Sequence, residues 1–145
     1  MVSLIKKKNL KSIAYETINL KIEALRSLKK SLNKNFDKAV NLIVNCQAKI
    51  ILCGVGKSGL IASKIASTLS SVGSPAFSLS ANDCLHGDLG SISKKDLLIL
   101  ISNSGKSEEL LPIIKFANRN KIKLIGIVSK KNSSLYKDSD IKILL

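Results

Sequence analysis

Short apolar runs alternate along this chain with longer stretches in which apolar positions recur every three or four residues. The runs at 49–53, 96–101, 121–128 and 140–145 are rich in Ile, Leu and Val, and with the run Pro75-Ala76-Phe77-Ser78-Leu79 they read as strands. Unbroken apolarity, rather than alternation with polar residues, marks strands covered on both faces. Three-and-four spacing predicts helices over 9–31, 37–46, 60–71 and 107–118, with a short helical turn over 132–137. Pro75 opens its strand, where proline is tolerated, and Pro112 falls near the end of a first helical turn. Residues 31–35 form a polar break and 80–93 a polar loop. Strands alternating with helices predict an α/β fold: three layers, αβα, around a five-stranded parallel sheet, preceded by two N-terminal helices. One domain is expected over 1–145, with the helices in 1–47 and the core in 48–145. The leading helices precede any strand, so a partner subunit is a candidate surface for them.

Composition narrows the setting. Hydrophobic residues make up 45% and aromatics only 3%, so the core must be aliphatic. Cys46, Cys53 and Cys84 lack C-x-x-C spacing, which fits free thiols in a reducing cytoplasm. There is no apolar run of transmembrane length, so no membrane partner is expected, and Lys6-Lys7-Lys8 is not followed by a signal-peptide core. The net charge of +14 comes almost wholly from Lys, with Arg26 and Arg119 the only arginines. The lysines spread over the whole chain with no Arg cluster and no interleaved aromatics, so nucleic-acid binding is not expected. The charge would still draw small anions.

Two polar clusters sit at predicted strand ends. Ser102-Asn103-Ser104-Gly105-Lys106-Ser107 follows the run at 97–101 and precedes a helix. Its hydroxyls, amide and backbone N–H groups, beside a helix N-terminus, can seat a phosphate. Gly54-Val55-Gly56-Lys57-Ser58-Gly59 follows the first strand. It lacks the spacing of a nucleotide P-loop but satisfies G-x-G-x-x-G. The acidic residue that a dinucleotide site wants about twenty positions on would fall near 77–80, where there is none, so dinucleotide binding is disfavoured.

Those two clusters, with His86-Gly87-Asp88-Leu89-Gly90 between them and Glu109 after them, resemble the sugar isomerase (SIS) domain of the D-arabinose-5-phosphate isomerases. The likeness runs from about residue 48 to the end. It implies a flavodoxin-like parallel sheet and an aldose–ketose isomerisation between D-arabinose 5-phosphate and D-ribulose 5-phosphate, feeding Kdo and lipopolysaccharide synthesis. By that resemblance Ser102, Asn103, Ser104 and Ser107 bind the phosphate and Ser58 adds a hydroxyl. Lys57 holds the sugar or neutralises the enediolate, and Glu109 and His86 join the catalysis; in some relatives the histidine contacts metal. No cofactor is implied, and the partner is a sugar phosphate within a homo-oligomer, dimer or tetramer.

Other roles compete at these positions. A lone loop histidine is commonly surface, Glu109 can serve the helix dipole, and Ser104 or Ser107 can be an N-cap. Lys106 stands where relatives usually carry Glu. Full relatives continue past the position of Leu145 into a segment that brings a second glutamate and a histidine, and many add CBS modules. The expectation is therefore an incomplete catalytic domain, with a non-enzymatic phosphosugar-binding module as the alternative.

Overall fold

The computed structural model describes residues 9–145; the Lys6–Lys8 run lies outside the described residues. Helix α1 (Leu10–Ser31) belongs to one compact unit and Asn33–Leu145 forms another. Asn9 caps α1, its side-chain oxygen accepting the Lys11 N–H at 3.0 Å. None of the residues of α1 is buried, and Leu20 and Leu25 are 71% and 65% exposed.

The second unit runs α2 (Lys34–Val44), β1 (Ile50–Gly54), α3 (Lys57–Ser71), β2 (Ala76–Ser80), α4 (Ala81–Leu85), a 3-10 turn (Asp88–Ser91) and β3 (Leu97–Ser102). A second 3-10 turn (Glu108–Leu110), α5 (Leu111–Asn120), β4 (Lys123–Val128), α6 (Ser134–Asp138) and β5 (Ile141–Leu144) complete it. All five strands are parallel, in the order β2-β1-β3-β4-β5. The expected three-layer sheet is present.

Strand side chains alternate between two cores, as the pleat requires. Ile51, Cys53, Leu98, Leu100 and Leu124 pack with α4, α5 and α6. Ile50, Leu52, Leu97, Ile99 and Ile125 pack with Ala39 of α2 and with Ala62 and Ala66 of α3. The small residues on α3 let that helix lie close to the sheet. Burial of a Leu or Ile side chain is worth about 1.5–3 kcal/mol. The central strands β1 and β3 are buried along their whole length, so their ends are firmly placed.

Several boundaries move, each for a local reason. Helix α2 starts at Lys34 rather than 37, because Asn33 accepts the Asn35 N–H at 2.8 Å and caps it inside the supposed polar break. Helix α3 starts at Lys57, so Lys57-Ser58-Gly59 of the Gly-rich segment already belongs to its first turn, with Gly56 at the N-cap. The polar loop at 80–93 is largely structured: Ser80 caps α4, accepting the Asp83 N–H at 3.4 Å, and a 3-10 turn follows. The helix expected from 107 begins only at Leu111, with Pro112 in its first turn, where a missing N–H costs nothing. A 3-10 turn fills the gap.

The edge where strands begin is fastened by Asp96. Its buried carboxylate accepts the Lys49 N–H at 3.1 Å and the Ser93 N–H at 2.7 Å, with the Lys49 ammonium 3.5 Å away. Burial alone would raise its pKa, but those bonds and the lysine outweigh it and hold the carboxyl below its usual range.

Candidate functional site

Strands β1 and β3 are neighbours, with Gly54 level with Ile101. The chain leaves β1 for β2 on one side of the sheet and reaches β3 on the other, so β1 and β3 flank the switch point. The loops 54–59 and 102–107 therefore emerge side by side at the C-terminal edge of the strands.

The β1 loop is shaped by close approach. A Cβ on Gly54 would stand 2.7 Å from the backbone carbon of Ser58, and one on Gly59 would stand 2.8 Å from the carbonyl oxygen of Gly54. Gly56 has φ +56°, in the left-handed region that glycine enters without cost. These three glycines let α3 begin almost on top of the strand end. Lys57 and Ser58 are its first two residues, the lysine exposed and the serine half-buried.

The β3 loop is stitched by hydrogen bonds. The buried Ser102 hydroxyl accepts the Gly105 N–H at 3.0 Å and shares a hydrogen bond with the Ser107 hydroxyl at 3.0 Å. Ser104 Oγ accepts the Lys106 N–H at 3.2 Å. Asn103 is held from the next strand: Ser129, just beyond β4, donates its hydroxyl to Asn103 Oδ1 at 2.6 Å and its N–H to the Asn103 carbonyl at 3.1 Å. With Oδ1 engaged, the amide presents its N–H groups. Gly105 has φ +64°, and a Cβ there would collide with Ser133, which caps α6. The Leu135 N–H donates to the Gly105 carbonyl at 3.1 Å.

Neither serine is the expected cap: Ser107 sits at the N-cap position of the 3-10 turn but makes no side-chain cap bond, and Ser104 bonds only within its own loop. Ser102 is a brace of the loop. Asn103 and Ser104 are exposed and Ser107 half-buried. Glu109 is half-buried in the 3-10 turn, anchored by buried Leu110, while Glu108 is exposed. His86 is exposed at the C-terminus of α4, and α4 packs against the 108–110 turn and α5, on the β3 side. Among the described residues, no hydrogen bond or ion pair links Lys57, His86 and Glu109 to one another. Nor do three or more His, Cys, Asp or Glu side chains gather as metal ligands.

Cys53 and Cys84 lie buried in the core beneath this edge. Burial pushes the Cys53 thiol up to about 12, with Cys84 adding to the effect. Burial, then Asp88 and Asp83, raises Cys84 as well. Both are neutral thiols near pH 7 and act as packing groups.

Ser129 and Ser133 are the residues that sequence reasoning missed. Ser129 carries the same signal as the other clusters, a polar group directly after an apolar strand, but it stands without a glycine-rich neighbourhood.

The SIS domain family model matches residues 43–145. The chain belongs to the SIS domain family. The SIS chain is 40% identical to the arabinose 5-phosphate isomerase KdsD of Francisella tularensis over 91% of its own length and 41% of that protein's. It is 38% identical to the KdsD of Yersinia pestis over 90% of its length and 40% of that protein's. It thus spans about two fifths of the length of the curated relatives it matches. An Escherichia coli protein solved in complex with arabinose 5-phosphate has a TM-score of 0.81 and 31% identity, covering 94% of this chain and 74% of that one. Among the described residues no helix is long and apolar enough to cross a membrane.

Proposed function

We propose that the SIS chain carries the site of an aldose–ketose isomerase interconverting D-arabinose 5-phosphate and D-ribulose 5-phosphate, in the supply of Kdo for lipopolysaccharide. The observation that carries this is the pairing of two donor-rich loops on adjacent strands, in a chain about 40% identical to proteins named for that reaction. The phosphate is held by the Asn103 amide, the Ser104 and Ser107 hydroxyls and the backbone N–H groups of the β3 loop, with Ser58 reaching from the other side. Ser102 keeps that loop in shape.

The open-chain aldose loses the proton on C2 to a base, and the electron pair moves to form a 1,2-enediolate. A proton then returns to C1, while another passes between O1 and O2, giving the ketose. Glu109 suits the carbon proton transfers, and His86 the transfer between oxygens. The Lys57 ammonium stabilises the enediolate charge. We place the reaction in the cytoplasm, within a homo-oligomer.

Incubation with D-ribulose 5-phosphate, followed by NMR, should reveal arabinose 5-phosphate. Glu109→Gln should lower kcat by about 100-fold or more with little change in KM. No conversion at high protein concentration, with phosphosugar binding retained and lost in Ser104→Ala, would instead establish a non-enzymatic phosphosugar-binding module. That second reading is favoured because, among the described residues, no hydrogen bond or ion pair links Lys57, His86 and Glu109.

A further inference from the structure

On the β2 side of the β1 loop, between it and α4, lies a cavity of about 420 Å³. None of the eight residues assigned above to the sugar phosphate lines it. Its walls include Gly54 and Gly56 of the loop, Leu60 of α3, Leu79 and Ser80 of β2, and Asp83 of α4.

We propose that this cavity binds a nucleoside 5′-monophosphate, gripping its ribose through the 2′,3′-diol. Glycine fingerprints after a first strand take ribose phosphates when a carboxylate at the end of the second strand accepts the ribose hydroxyls. Spacing along the sequence denies this chain such an acid. The fold supplies one, because α4 starts at Ala81, directly off β2, and carries Asp83 back over the strand edge. The Asp83 backbone is spent on the turn: its N–H goes to Ser80 Oγ and its carbonyl accepts the His86 N–H at 2.9 Å. Its carboxylate makes no hydrogen bond or ion pair among the described residues, so both oxygens remain as acceptors for a diol.

The rest of the cavity fits a base and one phosphate. Leu60 is 73% exposed although it is apolar, and it offers an aliphatic surface for a base. Gly56 leaves open space where a Cβ would stand, beside the first N–H groups of the 15-residue α3. The volume lies in the lower part of the range for small-ligand pockets, which favours a mononucleotide over a dinucleotide. Free pentose phosphates share the diol and the phosphate but have no base for Leu60.

Calorimetric titration of the full chain tests this with AMP, 2′,3′-dideoxy-AMP and D-ribose 5-phosphate. AMP should bind saturably, and the dideoxy analogue about ten-fold more weakly or not at all. D-Ribose 5-phosphate should also bind more weakly than AMP. Asp83→Asn, an exposed change checked for folding by its melting curve, should weaken AMP about ten-fold. Ser104→Ala should leave AMP binding intact. The proposal is overturned by absent AMP binding, by an indifferent Asp83→Asn, or by ribose 5-phosphate binding as tightly as AMP. Loss of AMP binding in Ser104→Ala would also overturn it, because the nucleotide would then occupy the phosphate seat. The isomerase reading is tested separately, since turnover of ribulose 5-phosphate does not depend on Asp83.

Discussion

The two loops that meet at the switch point are held by opposite means. The β1 loop is fixed by excluded volume: Gly54 and Gly59 allow backbone to touch backbone, and its polar side chains are left free. The β3 loop is fixed by side-chain hydrogen bonds, with Ser102, Ser104, Ser107 and Asn103 all engaged and Ser129 reaching in from β4. The first loop leaves its polar groups available to a ligand but has no room for an added atom at Gly54 or Gly59. Apart from Gly105, the second loop can be changed one hydrogen bond at a time, and each step should loosen the loop.

The largest effect should come from adding a single methyl group to the first loop. In Gly54→Ala the new Cβ meets Ser58 carbon and oxygen at 2.7 and 2.8 Å and Gly59 nitrogen at 3.0 Å, all of them backbone. No side chain can swing away, so α3 must move off the sheet, at about 3 kcal/mol. Thermal melting should fall on the order of 10 °C. An unchanged melting temperature would break the steric half of the comparison.

The matching change in the second loop is Ser102→Ala. It removes the acceptor of the Gly105 N–H and the partner of Ser107, in a buried place. The expected loss is about 1–3 kcal/mol, because a buried N–H is left unpaired. It should also weaken sugar-phosphate binding, since the loop that presents Asn103 and Ser104 loses its brace. A stable variant with normal phosphosugar affinity would show that Ser102 holds nothing.

Acid separates the two edges of the sheet. No bond within either loop involves a charged side chain, whereas the opposite edge depends on ionised Asp96. Because its folded pKa is depressed, Asp96 stabilises fully above the ordinary aspartate pKa of about 3.9. That stabilisation fades as pH falls below this value, toward and through the lower folded pKa. Melting followed from pH 6 down to pH 2 should show a loss below about pH 4 that is smaller in Asp96→Asn. Equal acid sensitivity of the two proteins would remove Asp96 as the cause.

Much of this was legible in the residues. Five apolar runs pointed to the sheet, most plainly at β1 and β3, because a parallel strand buried on both faces needs no polar positions. The polar loop proposed as the phosphate seat was legible for the same reason: Ser and Asn directly after Leu97–Ile101 stand out against the run. What stayed hidden was contact between distant segments. Nothing local ties Ser129 to Asn103, twenty-six residues earlier. Asp83 stands only three residues past β2, but the polar run at 80–93 reads as an open loop, and the helical turn that places its carboxylate over the strand edge is not visible in the residues. Capping was hidden too where the cap lay among other polar residues, as Asn33 did before α2.

The smallest expected effect is the sharpest test of how the second loop works. Among the described residues Ser129 hydrogen-bonds to the loop through Asn103 alone, so Ser129→Ala leaves Ser102, Ser104 and Ser107 in their bonds. The backbone bond from the Ser129 N–H to the Asn103 carbonyl also survives the change. Stability should therefore shift by less than about 1 kcal/mol, the net worth of one exposed hydrogen bond. The Asn103 amide, however, becomes free to rotate, and half of its orientations turn an oxygen toward the phosphate. Affinity for D-arabinose 5-phosphate, measured by calorimetry, should fall a few-fold. Ser129→Thr, which keeps the hydroxyl, should restore it. If alanine and threonine behave alike, the loop orients Asn103 without help from β4, and its hydrogen bonds end at Ser107.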